Sequence, residues 1–397
     1  MAEAGLKDER NDRRKRICFV ATVPFAINVF LRGHINVLKE EYDVALVTSG
    51  TAEELPGLLS QRVQFIPLHI ERKVSLGKDL LAFARLWRLF RTQKYDSVHS
   101  IMPKSGLLSM TAARLAGVRL RIHTFTGQVW TTRTGLPRLI LKSFDKVLAA
   151  NATQIFADSR SQREFLIQKN VVKETGINVL AEGSIVGVNL KRFKFDENER
   201  EKLRLEYKIS KEAVTFIFVG RLKRDKGLLD LSRAFAMAAK QNGNIHLLIV
   251  GADEDGLENV FSMLAKEIPG RVHRAGFADR PQAYLSAADV FCLPSYREGF
   301  GSVLIEAAAV GLPAIASRIY GITDAVDDGV TGILHRPSAV DEIAKAMLLL
   351  ASNGDLRSRM GEAARVRTIE KFPEERVTRA LLEFYQTAFS KIDSAGV

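Results

Sequence analysis

The chain has 397 residues, 46% of them hydrophobic and 26% charged, with a formal net charge of +12. That length and balance suit two globular domains and exclude a disordered chain. No apolar run reaches membrane-spanning length and the first sixteen residues are charged, so neither a transmembrane helix nor a secretory signal is expected and the chain reads as cytoplasmic. The charge is uneven: residues 1–190 carry 28 Lys and Arg against 17 Asp and Glu, whereas residues 191–397 carry 30 against 29. An anionic partner of the N-terminal half follows, whether membrane, nucleic acid or phosphorylated ligand. Cys18 and Cys292 each fall in an apolar strand-like run, which predicts buried thiols and neither a disulfide nor zinc.

Residues 1–15 lack apolar periodicity and read as a disordered tail. From Arg16 onward, short apolar runs alternate with helical stretches: ICFVAT, DVALVTS, VQFIPLH, SVHSI, LRIHTF, QIFADS and NVLAEGS. A second series begins at Val214 with VTFIFVG, HLLIVG, VHRAGF, DVFCLPS, PAIAS and GILHR. Such alternation predicts two α/β domains, each a parallel sheet wrapped by helices. The polar, turn-rich stretch 183–200 between them predicts a boundary near residue 190, giving domains over 16–190 and 191–372. Ser338 to Asp341 fits a capping box, and Pro373 suits the first turn of a last helix with Val377, Leu381, Phe384, Tyr385 and Phe389 as its apolar stripe. The stretch from Lys78 to Arg91 predicts an amphipathic helix with Phe83, Leu86, Trp87, Leu89 and Phe90 on one arc and Arg85, Arg88 and Arg91 on another. With Arg72 and Lys73 before it, this helix is a candidate for an anionic membrane surface; an outer helix of the sheet would show the same pattern.

Chemistry concentrates in residues 295–307, SYREGFGSVLIEA. They leave a buried strand, pass two glycines and enter a helix that Gly311 and Pro313 close. With Ser302 as N-cap, the open amides beside Gly301 form an anion site. Glu306 lies about a turn further in, where a carboxylate accepts hydrogen bonds from vicinal hydroxyls. Phosphate plus vicinal hydroxyls points to a sugar nucleotide; the plainer alternative is a pair of buried glutamates on a loop that merely turns. Upstream, Gly220 to Gly227 (GRLKRDKG) follows a strand end, where open α/β sheets bind ligands. Arg221 can engage phosphate oxygens bidentately and Lys226 acts as a point charge, while Lys223 and Arg224 read as a solvated turn. Phe277 after Gly276, and Thr323 after Gly321, sit on the same rim of strand ends. In the N-terminal half, His99 and the Lys104-Ser105-Gly106 helix start offer a second anion site. The first loop, from Thr22, lacks the G-x-G-x-x-G of a nicotinamide enzyme.

Together the G-R-x-x-x-x-K-G loop, the E-x7-E spacing around EGFG, the GVNLKRF linker and the terminal FPEERVTRALLEFY stretch resemble the retaining glycosyltransferases of family four over essentially the whole chain. The resemblance implies the GT-B fold, two Rossmann-like domains facing a central cleft, with the helix of residues 373–397 packing back on the N-terminal domain. By that similarity Arg221 and Lys226 would neutralise the donor diphosphate, Glu298 would contact the transferred sugar, and Glu306 would hold the ribose. Gly220, Phe277, Phe300, Gly301, Ser302 and Thr323 would complete the donor site, and His99, Lys104, Thr126 and Gly127 would meet the acceptor. Retention would follow front-face attack, with the departing phosphate taking the acceptor proton. No metal or other cofactor is then expected, and the co-substrate would be a UDP-sugar. The chain departs from the family at Thr126, where many members carry a histidine; members that extend lipid-linked aminosugars show a similar TFTG loop. The expected acceptor is therefore a polyprenyl-diphosphate-linked saccharide, with peripheral attachment to the inner face of the cell membrane and no nucleic-acid partner. The competing readings are a sugar-nucleotide epimerase on the same architecture and an inactive sugar-nucleotide-binding protein.

Overall fold

A computed structural model describes residues 13–72 and 74–395. Most of the expected tail, residues 1–12, and Lys73 lie outside the described residues. Arg14 and Lys15, also placed in that tail by the sequence, are held: Arg14 donates to the Glu40 carbonyl at 3.0 Å and Lys15 pairs with Asp393 at 2.6 Å.

All thirteen apolar runs form strands. They are β1 (Arg16–Val20), β2 (Asp43–Thr48), β3 (Val63–Pro67), β4 (Ser97–Ile101), β5 (Leu120–Phe125), β6 (Gln154–Ala157) and β7 (Ile177–Val179) in one sheet. The second sheet holds β8 (Val214–Val219), β9 (Ile245–Val250), β10 (Val272–Gly276), β11 (Val290–Leu293), β12 (Ala314–Ser317) and β13 (Gly332–His335). The strand orders are β3-β2-β1-β4-β5-β6-β7 and β10-β9-β8-β11-β12-β13. Neighbours pair in parallel, as in β1 with β4 and β8 with β11. Helices cover both faces of such sheets, and central strands such as β9 are accordingly buried along their whole length. Each sheet is therefore a Rossmann-like, doubly wound unit whose order reverses once, between β1 and β4 and again between β8 and β11. The protein has the α/β GT-B architecture.

Sheet membership changes between Val179 and Val214, on either side of the boundary that composition marks near residue 190. Contacts divide the chain differently, into one unit of residues 1–124, 144–155 and 381–397 and a second of 125–143 and 156–380. The last helix, Glu374–Ser394, begins just after Pro373. Its later part belongs to the first unit, where Tyr385 and Phe389 lie 6.0 and 5.5 Å from the Tyr42 ring.

One local expectation is corrected. Ser338 does not cap the helix Val340–Ser352: its φ is +64°, and Ala339 holds the N-cap position without a side-chain bond. The helix expected at residues 78–91 runs Leu76–Gln93 and buries Leu86 and Phe90, with Phe83 and Leu89 half-buried. Most of its apolar arc therefore packs into the fold, against the helix Pro103–Leu115 among others, as an outer helix of a sheet must.

Candidate active site

The reversal between β8 and β11 explains why two distant stretches meet. Loops leaving the carboxyl ends of these neighbouring strands diverge to opposite faces and leave a crevice between them. One is the 220–227 loop, the other the 294–302 loop, and they join through Lys226 and Glu298. The Lys226 ammonium lies 2.5 Å from Glu298 Oε1, which also accepts from the buried Ser295 hydroxyl at 2.8 Å. Gly227 makes the approach possible. Its φ is +69°, and a Cβ there would stand 1.9 Å from the Pro294 carbonyl oxygen.

After Glu298 the chain enters the helix Ser302–Ala309. Gly301, not Ser302, is its N-cap, with φ +74° and no side-chain cap, because only the residue before the first helical turn can take a non-helical conformation. Ser302 is the first helical residue, and an uncapped helix start of this kind leaves amides for an anion. Glu306 is half-buried one turn on and has no hydrogen-bond partner among the described residues. Burial pushes its carboxyl up to about 7, against the pull of Arg192.

The remaining expected donor residues divide. Arg221 extends outward to Glu254, 3.3 Å away, and Lys223 shares that carboxylate at 3.4 Å. Lys223 is thus paired across the loop instead of being merely solvated. Phe277 stands 67% exposed just past β10, an open aromatic face. Gly220 lies at the end of β8 and donates its amide to the Val250 carbonyl at 3.0 Å. Phe300 is buried and meets Phe372 edge to face at 5.2 Å, so its ring serves the core. Thr323 is exposed, but the amide of Gly321 before it donates to Ser161 Oγ at 2.7 Å and is committed to the fold.

Of the expected acceptor residues, Thr126 and Gly127 lie against the 298–301 loop. A Cβ on Gly127 would come within 3.0 Å of the Glu298 carbonyl carbon, and the Gly127 carbonyl accepts from Arg297 at 2.9 Å. The Thr126 carbonyl receives both Gln128 and Gln162 at 2.8 Å. His99 is different. Its Nδ1 is 3.0 Å from the Tyr385 hydroxyl and its Nε2 2.9 Å from Thr124 Oγ1, inside the fold. Burial, with His34 and His123 nearby, drives its pKa well down, so it stays neutral. Both ring nitrogens of His99, expected to meet the acceptor, are thus engaged within the fold. Lys104 pairs with Asp79 at 2.6 Å and Ser105 bonds back to the Ile101 carbonyl at 2.5 Å, which ties down the helix start that the sequence offered to an anion.

Sequence reasoning missed three residues here. Arg297 reaches Asp225 at 2.6 Å as well as the Gly127 carbonyl, bolting the 220–227 and 126–128 loops to the glutamate loop. Burial raises the Asp225 carboxyl, and Arg297 overcomes this and holds it below the usual carboxylate range. Asp158 is buried behind the same loop: a Cβ on Gly299 would stand 2.4 Å from its Oδ2, and its Oδ1 has no hydrogen-bond partner. Burial and the neighbouring Glu298 push its carboxyl well above the usual carboxylate range. Opposite charges at 225 and 297 were visible in the sequence; nothing local marked Asp158.

Among the described residues no group of three His, Cys, Asp or Glu is placed to hold a metal, and no helix is long and apolar enough to cross a membrane. Residues 199–367 match the family model described as glycosyl transferases group 1, and residues 29–182 match the glycosyl transferase 4-like domain. The capsular polysaccharide biosynthesis glycosyltransferase CapM of Staphylococcus aureus is 30% identical, over 94% of this chain and 98% of CapM. An Escherichia coli UDP-Gal:alpha-D-GlcNAc-diphosphoundecaprenol alpha-1,3-galactosyltransferase is 28% identical, over 78% of this chain and 80% of that protein. Among solved structures, Anabaena HepE in complex with UDP and glucose superposes with a TM-score of 0.78 at 17% identity, over 94% of this chain and 100% of HepE.

Proposed function

The chain belongs to the group 1 glycosyltransferases, and we propose that it moves a hexose or N-acetylated hexose from a UDP-sugar to a polyprenyl-diphosphate-linked saccharide, with retention, in the assembly of a surface polysaccharide. The observation that carries the donor half is the crevice at the β8–β11 reversal, where Lys226 and Glu298 meet beside an uncapped helix start with Glu306 one turn behind. Lys226 already holds a carboxylate, and an incoming diphosphate offers it a stronger anion. Arg221 then swings from Glu254 to share that charge, Glu298 is released toward the transferred sugar, and the first-turn amides take a phosphate oxygen. Charge on the departing phosphate is neutralised by side chains and amides, so the reaction is proposed to run without metal. The acceptor half is supported by the name of the E. coli relative, whose acceptor is a sugar on a lipid diphosphate. An epimerase would need a proton-donating and proton-accepting pair in the crevice. Asp158, Asp225, Glu298 and Glu306 are the carboxyls placed there; the first three are held by the loop scaffold, which leaves Glu306 without a second member of such a pair.

Glu306 tests the donor assignment through pH. A ribose donating two hydroxyls to its carboxylate lowers its pKa, whereas the free group titrates at about 7. Binding therefore favours the deprotonated form. Affinity for a UDP-sugar, whose diphosphate does not titrate here, should rise between pH 5.5 and 7 by up to about tenfold per unit and level off above it. Calorimetry with UDP-galactose should show this rise for the wild type and a flat profile for Glu306→Gln. Parallel profiles would remove Glu306 from the ribose.

A further inference from the structure

The helix Gly135–Asn151 wears its apolar side outward. Leu136, Leu139, Ile140, Phe144 and Val147 are 67, 61, 44, 41 and 47% exposed, while its only acid, Asp145, is buried together with Leu148. At 100° per residue the five exposed side chains fall within an arc of about 140°, on a helix about 25 Å long. An outer helix of a doubly wound sheet ordinarily points such an arc inward, as the Leu76–Gln93 helix does with Leu86 and Phe90. Here the inward face is instead built from Leu141, Asp145 and Leu148. An exposed stripe of this length marks a docking surface.

Charge identifies what docks there. Arg138 and Lys142 flank the stripe, each cation 5.8 Å from the Trp130 ring, and Arg133 and Lys146 are exposed beside it. With Asp145 buried, every charge that residues 133–151 present outward is positive. A large apolar arc edged only by cations is the pattern of a helix lying in the interface of an anionic bilayer, aliphatic side chains among the acyl chains and cations at the headgroups. A second copy of this chain would bring the same cations face to face. We propose that Leu136, Leu139, Ile140, Phe144 and Val147 seat the protein on an anionic phospholipid surface, and that this helix is a membrane-contacting element. The inference rests on the reading that the acceptor is lipid-linked, since such a substrate is met at the bilayer.

The test is co-flotation of the full chain with vesicles of phosphatidylcholine alone or with 30% phosphatidylglycerol, together with size-exclusion chromatography and UDP calorimetry. The wild type should float with the anionic vesicles only. Leu139→Gln/Ile140→Gln/Phe144→Gln should lower flotation about tenfold or more, with melting temperature and UDP affinity kept, because the changed side chains already face solvent. Arg133→Gln/Lys146→Gln should lose the preference for anionic vesicles. Arg85→Gln/Arg88→Gln/Arg91→Gln should float within about twofold of wild type. A wild type that stays at the bottom of the gradient, or an apolar triple variant that floats normally, overturns the proposal. So does a variant that changes only the oligomeric state, which would make the stripe a contact between copies. If the wild type floats but binds no UDP-sugar, the transferase reading fails and the docking surface stands.

Discussion

Replacing Lys226 with alanine is expected to lower turnover by about 10²- to 10³-fold, the usual cost of removing one fixed charge from a developing anion. Two roles end together. On the proposed reading the leaving diphosphate loses a point charge, and Glu298 loses the cation that holds it at 2.5 Å. The Lys226 and Glu298 side chains are 20% and 12% exposed, so a charge left unpaired there also costs stability, and a lower melting temperature should accompany the kinetic loss. Lys226→Arg keeps the charge and should recover part of the rate with most of the stability. Arg221→Ala should cost less, because its side chain is 45% exposed and already shared with Glu254. Steady-state transfer by Lys226→Ala at the wild-type rate would remove the diphosphate from this loop.

Gly227→Ala should be among the most damaging single methyls in the C-terminal half of the chain. At φ +69° an alanine costs about 1–2 kcal/mol by conformation alone, and its Cβ, 1.9 Å from the Pro294 oxygen, must push the backbone of one loop away from the other. The total should reach about 3 kcal/mol or more, lowering the melting temperature by roughly 6 °C or more. The same displacement separates Lys226 from Glu298, so nucleotide affinity should fall as well. Gly243→Ala is the control, since nothing lies within 4 Å of its added Cβ. Thermal melts that place both variants at the wild-type temperature would mean that the two loops do not approach as described.

These two residues also show what the sequence could and could not reveal. Strands were legible because parallel strands buried on both faces need uninterrupted apolar runs, and the loops after VTFIFVG and DVFCLPS followed as strand ends. Their meeting was not legible from composition, because it depends on the strand order reversing between β8 and β11. The surroundings of His99 were not legible either: its partner Tyr385 is 286 positions away, and a lone histidine at a strand end gives no sign of so remote a hydroxyl. Arg297, Asp225 and Asp158 act by packing loops from distant parts of the chain onto residues 298–301, which leaves no periodic trace. The Gly135–Asn151 helix shows a further limit. Its periodicity is plain, but periodicity names an apolar arc without saying which side the fold covers, and a buried Asp145 reverses the usual answer.

The central claim is transfer from a UDP-sugar to a lipid diphosphate without metal. It is tested most directly by incubating the wild type in excess EDTA with UDP-galactose, UDP-glucose and their N-acetylated counterparts, and a short-chain polyprenyl-diphosphate N-acetylhexosamine acceptor. UDP release and the anomeric configuration of the product are then read. One donor of that panel should give an α-linked product, with release of UDP matching acceptor consumed. Absence of transfer in EDTA restored by magnesium, a β-linked product, or UDP-sugar turnover that never glycosylates the lipid acceptor would contradict it.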